Sequence, residues 1–200
     1  MKNPKDVAAP AFKALAADAF GTLANEYLDG LRVRAYSEAS LITKKRVLGY
    51  FMEWCSDRGL LKPIEVTPPI LERYQRHLFY YRKKDGKALT FGSQASLLTP
   101  IRSFFKWLAK KRYLPYNPAS ELELPRRGQS LPKVILTEHE VEEILSLPVV
   151  STPLGIRDRA ILETFYSTGI RRLELVNLKV HDLELETPTL TVREGKGKKD

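Results

Sequence analysis

The chain is 200 residues long, 43% hydrophobic and 28% charged, with 33 Lys/Arg against 24 Asp/Glu for a net charge of +9. That composition supports a genuine core in one or two globular units. No run approaches the ~18 apolar residues of a membrane span, and Met1 to Ala9 lacks the apolar segment of a secretory signal. The lone cysteine, Cys55, excludes an internal disulfide and reads as a small buried hydrophobe of a reducing compartment, so the expected location is cytoplasmic.

The charge is unevenly placed. Residues 1–60 carry +2, residues 61–133 carry +10 and residues 134–200 carry −3. So basic a middle segment is the footprint of a polyanion-binding surface, because neutralising phosphates releases counterions; an ordinary solvated basic face is the plainer alternative.

In chain order, the pattern is helical until about residue 182. Phe12, Leu15, Ala16, Ala19, Phe20, Leu23 and Tyr27 recur at helical spacing, with Gly30 as a stop signal. A second helix is expected from about Ser40 to Arg58, burying Leu41, Val47, Leu48, Phe51, Trp54 and Cys55. Thr67-Pro68 starts a third, with Ile70, Leu71, Tyr74, Leu78 and Tyr81 inward. A fourth, from about Ser93 to Lys111, turns Leu97, Ile101, Phe104, Phe105 and Leu108 to the core, and Pro100 predicts a kink or a restart at Thr99. Tyr113 to Pro132 is proline-rich and reads as a linker. Thr137 to Glu140 is a capping box, with Val141, Ile144 and Leu145 as a short apolar face. A helix from about Leu154 to Ser167 is expected to bury Ile156, Ala160, Ile161, Phe165 and Tyr166 and to end at Gly169. Beyond Asp182 the period changes to two around a turn at Glu186 to Pro188, an antiparallel β pattern.

Two short motifs bear on phosphate chemistry. Arg171 follows the helix-ending turn Thr168-Gly169-Ile170, and Glu174, three residues on, is placed to orient its guanidinium. Lys196 lies between Gly195 and Gly197, where backbone can approach a phosphate closely. Arginine pairs with phosphate through its planar fork, and a mobile lysine ammonium can protonate a leaving oxygen. Taken singly, the first motif is an ordinary surface ion pair and the second an ordinary solvated hairpin.

In combination they are more specific. Asn117 to Pro125, Leu131-Pro-Lys133, Arg157 to Leu162, Ser167 to Arg171, Leu173-Glu-Leu175, Asp182-Leu183 and Gly195 to Lys199 resemble the Xer-like tyrosine recombinases (phage integrases) in order and spacing. Ser40-Leu41, Trp54, Arg58-Gly59, Leu97-Leu98, Arg102 and Phe104 to Leu108 resemble that family's helical core-binding domain. The resemblance implies a mainly α chain: a four-helix, SAM-like DNA-binding domain over 1–114, a Pro-rich linker over 115–133, and over 134–200 the first helices and β-hairpin of an α+β catalytic domain.

The resemblance further implies site-specific recombination or DNA integration through a 3′-phosphotyrosyl intermediate, with no metal or nucleotide cofactor. Arg171 would be the first catalytic arginine, Lys196 the hairpin lysine and Glu174 the supporter of Arg171. The second and fourth helices would cross duplex DNA, with contacts from Ser40, Lys44, Lys45, Arg46, Arg102, Lys106 and Lys110. The family's His-x-x-Arg box, its later His or Trp and its nucleophilic tyrosine match nothing in the sequence, so these residues are expected to bind DNA without completing catalysis. Two alternatives stay open: a non-catalytic protein that occupies DNA sites or pairs with itself or an intact recombinase, and a gene remnant without function. The Tyr80 to Lys84 cluster reads as a positively charged helix end, and His77, His139 and His181 have no metal-ligand spacing.

Overall fold

The computed structural model describes residues 19–126, 135–184 and 186–193. The chain divides into two compact units, Met1–Gln129 and Ser130–Asp200. It is mainly helical, with seven α-helices and one two-stranded antiparallel sheet among the described residues.

The first unit holds α1 (Ala19–Val33), α2 (Glu38–Ser56), α3 (Pro68–Tyr80) and α4 (Phe91–Lys110). The expected stop at Gly30 is not observed. The helix runs on to Val33, because Ala35, at φ 57°, makes the left-handed turn instead. Phe12, Leu15 and Ala16 lie outside the described residues. α2 starts earlier than its apolar pattern, at Ser37, whose hydroxyl accepts from the Ser40 amide at 3.3 Å. Thr67 precedes α3 without a side-chain cap, and Pro68 alone marks the start.

α4 does not restart at Thr99. It is continuous from Phe91 to Lys110 with Pro100 buried inside it. Proline deprives the Ser96 carbonyl of its donor, but Ser96 is exposed, and on either side Thr99 Oγ1 donates to the Ala95 carbonyl (2.7 Å) and Ser103 Oγ to that of Thr99 (3.0 Å). The helix therefore tolerates one missing bond at its wet side while packing its dry side.

The core gathers Phe20, Tyr27 and Leu31 from α1, Leu48, Phe51 and Cys55 from α2, Leu71, Tyr74 and Leu78 from α3, and Leu98, Ile101, Phe104, Phe105 and Leu108 from α4. Aromatic edges meet faces, as between Phe51 and Tyr74 at 4.9 Å and Phe51 and Phe105 at 5.9 Å. The proline-rich stretch contributes as well. Leu114, Ala119 and Leu122 are buried in the same cluster, and Gln75 Nε2 donates to the Glu123 carbonyl at 2.9 Å.

Cys55 is fully buried, and burial pushes its thiol up to about 12. Iodoacetamide at pH 8 should label the folded chain on the order of a thousandfold more slowly than the urea-unfolded chain, in proportion to the thiolate available. Comparable rates in the two states would contradict this burial.

The second unit holds α5 (Glu138–Ser146), α6 (Pro153–Thr168), α7 (Arg172–Asn177) and a hairpin of β1 (Leu183–Glu184) and β2 (Thr189–Leu190), in register Leu183 to Leu190. The α5 capping box forms: Thr137 Oγ1 accepts from the Glu140 amide and Glu140 Oε2 from the Thr137 amide. Arg159 joins α5 to α6, donating to the Leu145 carbonyl at 2.5 Å while holding Glu163 at 2.7 Å. At Gly155 a Cβ would collide with the Val149 carbonyl, so the 149–152 turn packs directly on helix backbone.

The expected apolar faces here are largely open. Ile156 is 57% and Tyr166 60% exposed, Ala160 is exposed, and Ile161 and Phe165 are only half-buried, against the expectation that all five form core. Val141 and Leu145 are half-buried as well, and Ile144 is exposed. Helical periodicity marks which side of a helix is apolar; it does not say what covers that side.

Candidate phosphate-binding and nucleic-acid-facing residues

α6 ends as the glycine signal requires. Gly169 is left-handed (φ 64°, ψ 16°), its amide donates to the Phe165 carbonyl at 3.0 Å, and Ile170 behind it is buried. Arg171 follows in extended conformation as the N-cap of α7. Glu174 holds it twice: Oε2 accepts from the Arg171 amide at 2.9 Å and Oε1 from Nη1 at 2.8 Å. The two side chains differ in exposure, 67% for Arg171 against 13% for Glu174. The carboxylate is thus a shielded bracket and the guanidinium an open fork, fixed in direction and able to meet an anion from solvent.

Beyond α7, Asp182 is buried and organises the hairpin base. It accepts from Arg193 Nε at 2.6 Å and from the Lys179 amide at 2.9 Å, while its carbonyl takes the Thr191 amide at 2.9 Å. The Arg193 bond first, and then the Lys179 amide, hold its carboxyl below the usual aspartate range. A depressed carboxyl stabilises the fold above its unfolded pKa of about 3.9 and loses that contribution as pH falls through its lower folded value. Protection of the Thr191 amide should therefore persist at pH 5 and fall below about pH 3.9, whereas Asp182→Asn should show weak protection at both. Protection in the parent chain unchanged down to pH 2 would remove Asp182 from this role. Lys196, in the segment that follows, lies outside the described residues, as does any approach between it and Arg171.

In the first unit, α2 and α4 pack against one another. Lys45, Arg46, Lys106 and Lys110 are exposed, and Lys44 and Arg102 are half-buried. Burial lowers the pKa of Lys44, whose Nζ lies 5.9 Å from the Tyr36 ring centroid. Ser40 is exposed, but its hydroxyl accepts from Ser37 Oγ at 2.9 Å, so it also serves the α2 cap. Arg82 Nη1 donates to the Phe79 and Tyr81 carbonyls, satisfying the end of α3, and Tyr81 is buried rather than presented for stacking. Among the described residues no group of His, Cys, Asp and Glu could hold a metal ion, and no helix is long and apolar enough to cross a membrane.

Residues 135–200 match the model of the phage integrase family. A tyrosine recombinase XerC 2 of Ralstonia nicotianae is 47% identical over 174 residues, 87% of this chain and 50% of the relative. A tyrosine recombinase XerD of Listeria innocua is 36% identical over 180 residues, 89% of this chain and 58% of the relative. This chain belongs to the tyrosine recombinase family. A third member, a tyrosine recombinase XerC of Bacillus licheniformis, is 40% identical over 180 residues, 90% of the chain and 56% of the relative. The chain spans about half the length of these recombinases.

Within the recombinase fold, the Arg171–Glu174 pair was legible from spacing alone, since three residues is one helical step. Arg193 was not. Its partner lies eleven residues away across a turn, and only the family motif at Asp182-Leu183 drew notice to that neighbourhood.

Proposed function

We propose that this chain grips duplex DNA through α2 and α4 of its first unit and supplies Arg171, braced by Glu174, to a scissile phosphate from its second. The wider reading is a role in site-specific recombination or DNA integration. The observation that carries it is the bracketed guanidinium: Glu174 spends both oxygens on Arg171 and leaves the fork two-thirds exposed, the arrangement needed to hold a non-bridging phosphate oxygen. Lys196 is the proposed proton donor to the leaving 5′ oxygen. Ser40, Lys44, Lys45, Arg46, Arg102, Lys106 and Lys110 are proposed DNA contacts, which position the protein and carry little sequence information.

These 200 residues alone are proposed to bind without cutting, because no tyrosine among them matches the family's nucleophile. A chain of this kind occupies a recombination site on its own or alongside an intact recombinase. Gel-shift titration with a duplex at several salt concentrations, followed by incubation with a nicked suicide substrate, tests both halves. Salt-sensitive binding with no covalent adduct is expected. Salt-insensitive binding overturns the first half, and an adduct formed by these residues alone overturns the second.

A further inference from the structure

Arg102 and Lys106 stand one turn apart on α4 and line a notch of about 350 Å³. Its opposite wall is the turn from Asn117 to Ser120, outside both helices already read as DNA-facing. No carboxylate lines it. Neither cation has an acidic partner among the described residues, whereas Arg32, Arg157, Arg159, Arg171 and Arg193 each hold a carboxylate within 3.1 Å. A half-buried guanidinium such as that of Arg102 loses hydration without gaining a counter-charge, which favours an incoming anion.

The polar wall is already directed. Thr99, Ser103 and Ser120 donate their hydroxyl protons to the carbonyls of Ala95 (2.7 Å), Thr99 (3.0 Å) and Asn117 (2.9 Å). Asn117 Oδ1 accepts from the Ala119 amide at 3.1 Å, which leaves the Asn117 NH₂ as its donor end. The uncommitted donors are therefore the guanidinium, the ammonium and one amide, all positive or positively polarised.

We propose that Arg102, Lys106 and the Asn117 side-chain amide together seat a single phosphodiester of the bound duplex, with Asn117 as a positioning residue. This rests on the DNA-binding reading above. A phosphate held there bonds α4 on one side and the 117–120 turn on the other, so the contact also braces the turn that leads out of the first unit.

The test is fluorescence anisotropy of the full chain with a labelled duplex, read as affinity and as the slope of log affinity on log salt. Asn117→Asp keeps an acceptor for the Ala119 amide but replaces the donor with a charge that repels phosphate and neutralises Arg102. It is expected to weaken binding about tenfold and to flatten the slope by about one unit, with the thermal midpoint unchanged. Arg102→Gln is expected to flatten the slope equally, and the double variant to flatten it no further, because one phosphate can be lost only once. Asn117→Ser, which keeps an acceptor and lacks the amide, should lose about threefold, and decides the matter if the aspartate variant folds poorly. Parent-like binding by both Asn117 variants alongside weakened Arg102→Gln overturns the shared seat and leaves the DNA-binding reading standing. Slope losses that add in the double variant likewise overturn it. No duplex binding by the parent chain overturns the broader reading, and the seat falls with it.

Discussion

The affinity of this chain for duplex DNA is expected to fall about a thousandfold between 50 and 200 mM monovalent salt. Six cations, Lys44, Lys45, Arg46, Arg102, Lys106 and Lys110, are the proposed phosphate contacts of α2 and α4. Each phosphate they neutralise releases condensed counterions, and with Arg102 and Lys106 sharing one phosphate the six cations cover five, for a log–log slope between about −4 and −5. The second unit carries a net charge of −3 over residues 134–200, so its proposed phosphate ligand Arg171 adds at most about one unit to this slope. Replacing one exposed member, as in Lys110→Gln, should flatten the slope by about one unit for every duplex sequence alike. A parent slope shallower than about −2 would contradict the assignment of these two helices.

Phe104→Ala is expected to destabilise the first unit by about 3–5 kcal/mol. Phe104 is fully buried and its ring lies 5.5 Å from Tyr27, 5.7 Å from Phe105 and 6.2 Å from Phe20 and Trp107. Truncation therefore removes aromatic contacts from α1 and α4 at once and leaves a cavity that four helices cannot all close around. In a domain whose total stability is about 5–15 kcal/mol, that is a large share. Phe91→Ala, at a site 53% exposed on the first turn of the same helix, should change stability by no more than about 0.5 kcal/mol. Both tryptophans of the chain, Trp54 and Trp107, lie in the first unit, so intrinsic fluorescence during urea unfolding reports that unit alone. Equal midpoints for the two variants would refute the assignment of Phe104 to the centre of the core.

What could be read beforehand follows from how locally each feature is encoded. The four helices of the first unit repeat their apolar residues every three or four positions, so Leu48, Phe51, Ile101, Phe104 and Phe105 fall on the core face without any knowledge of partners. Gly30 misled because a glycine within a helix costs only about 1 kcal/mol, less than a well-packed face contributes around it. Of the kink or restart expected at Pro100, the restart does not occur: the lost hydrogen bond sits beside an exposed Ser96, and the buried side holds the helix together. Leu114, Ala119 and Leu122 escaped because a chain anchored at irregular intervals has no period to detect. The Arg171–Glu174 bracket was legible because it is one helical step long, whereas Arg193 and the Asn117 wall depend on chain reversals that bring distant residues together.

Gly155 shows a different kind of constraint. It has no side chain to offer a ligand and its amide donates to Thr152 Oγ1 at 3.1 Å, yet the Val149 carbonyl occupies the space where any other residue would place its first side-chain atom. A saturation screen would score this position as intolerant for a reason that is purely one of volume. Intolerance alone would therefore rank a spacer beside a proposed phosphate ligand such as Arg171, and only a folding readout taken in parallel would tell the two apart.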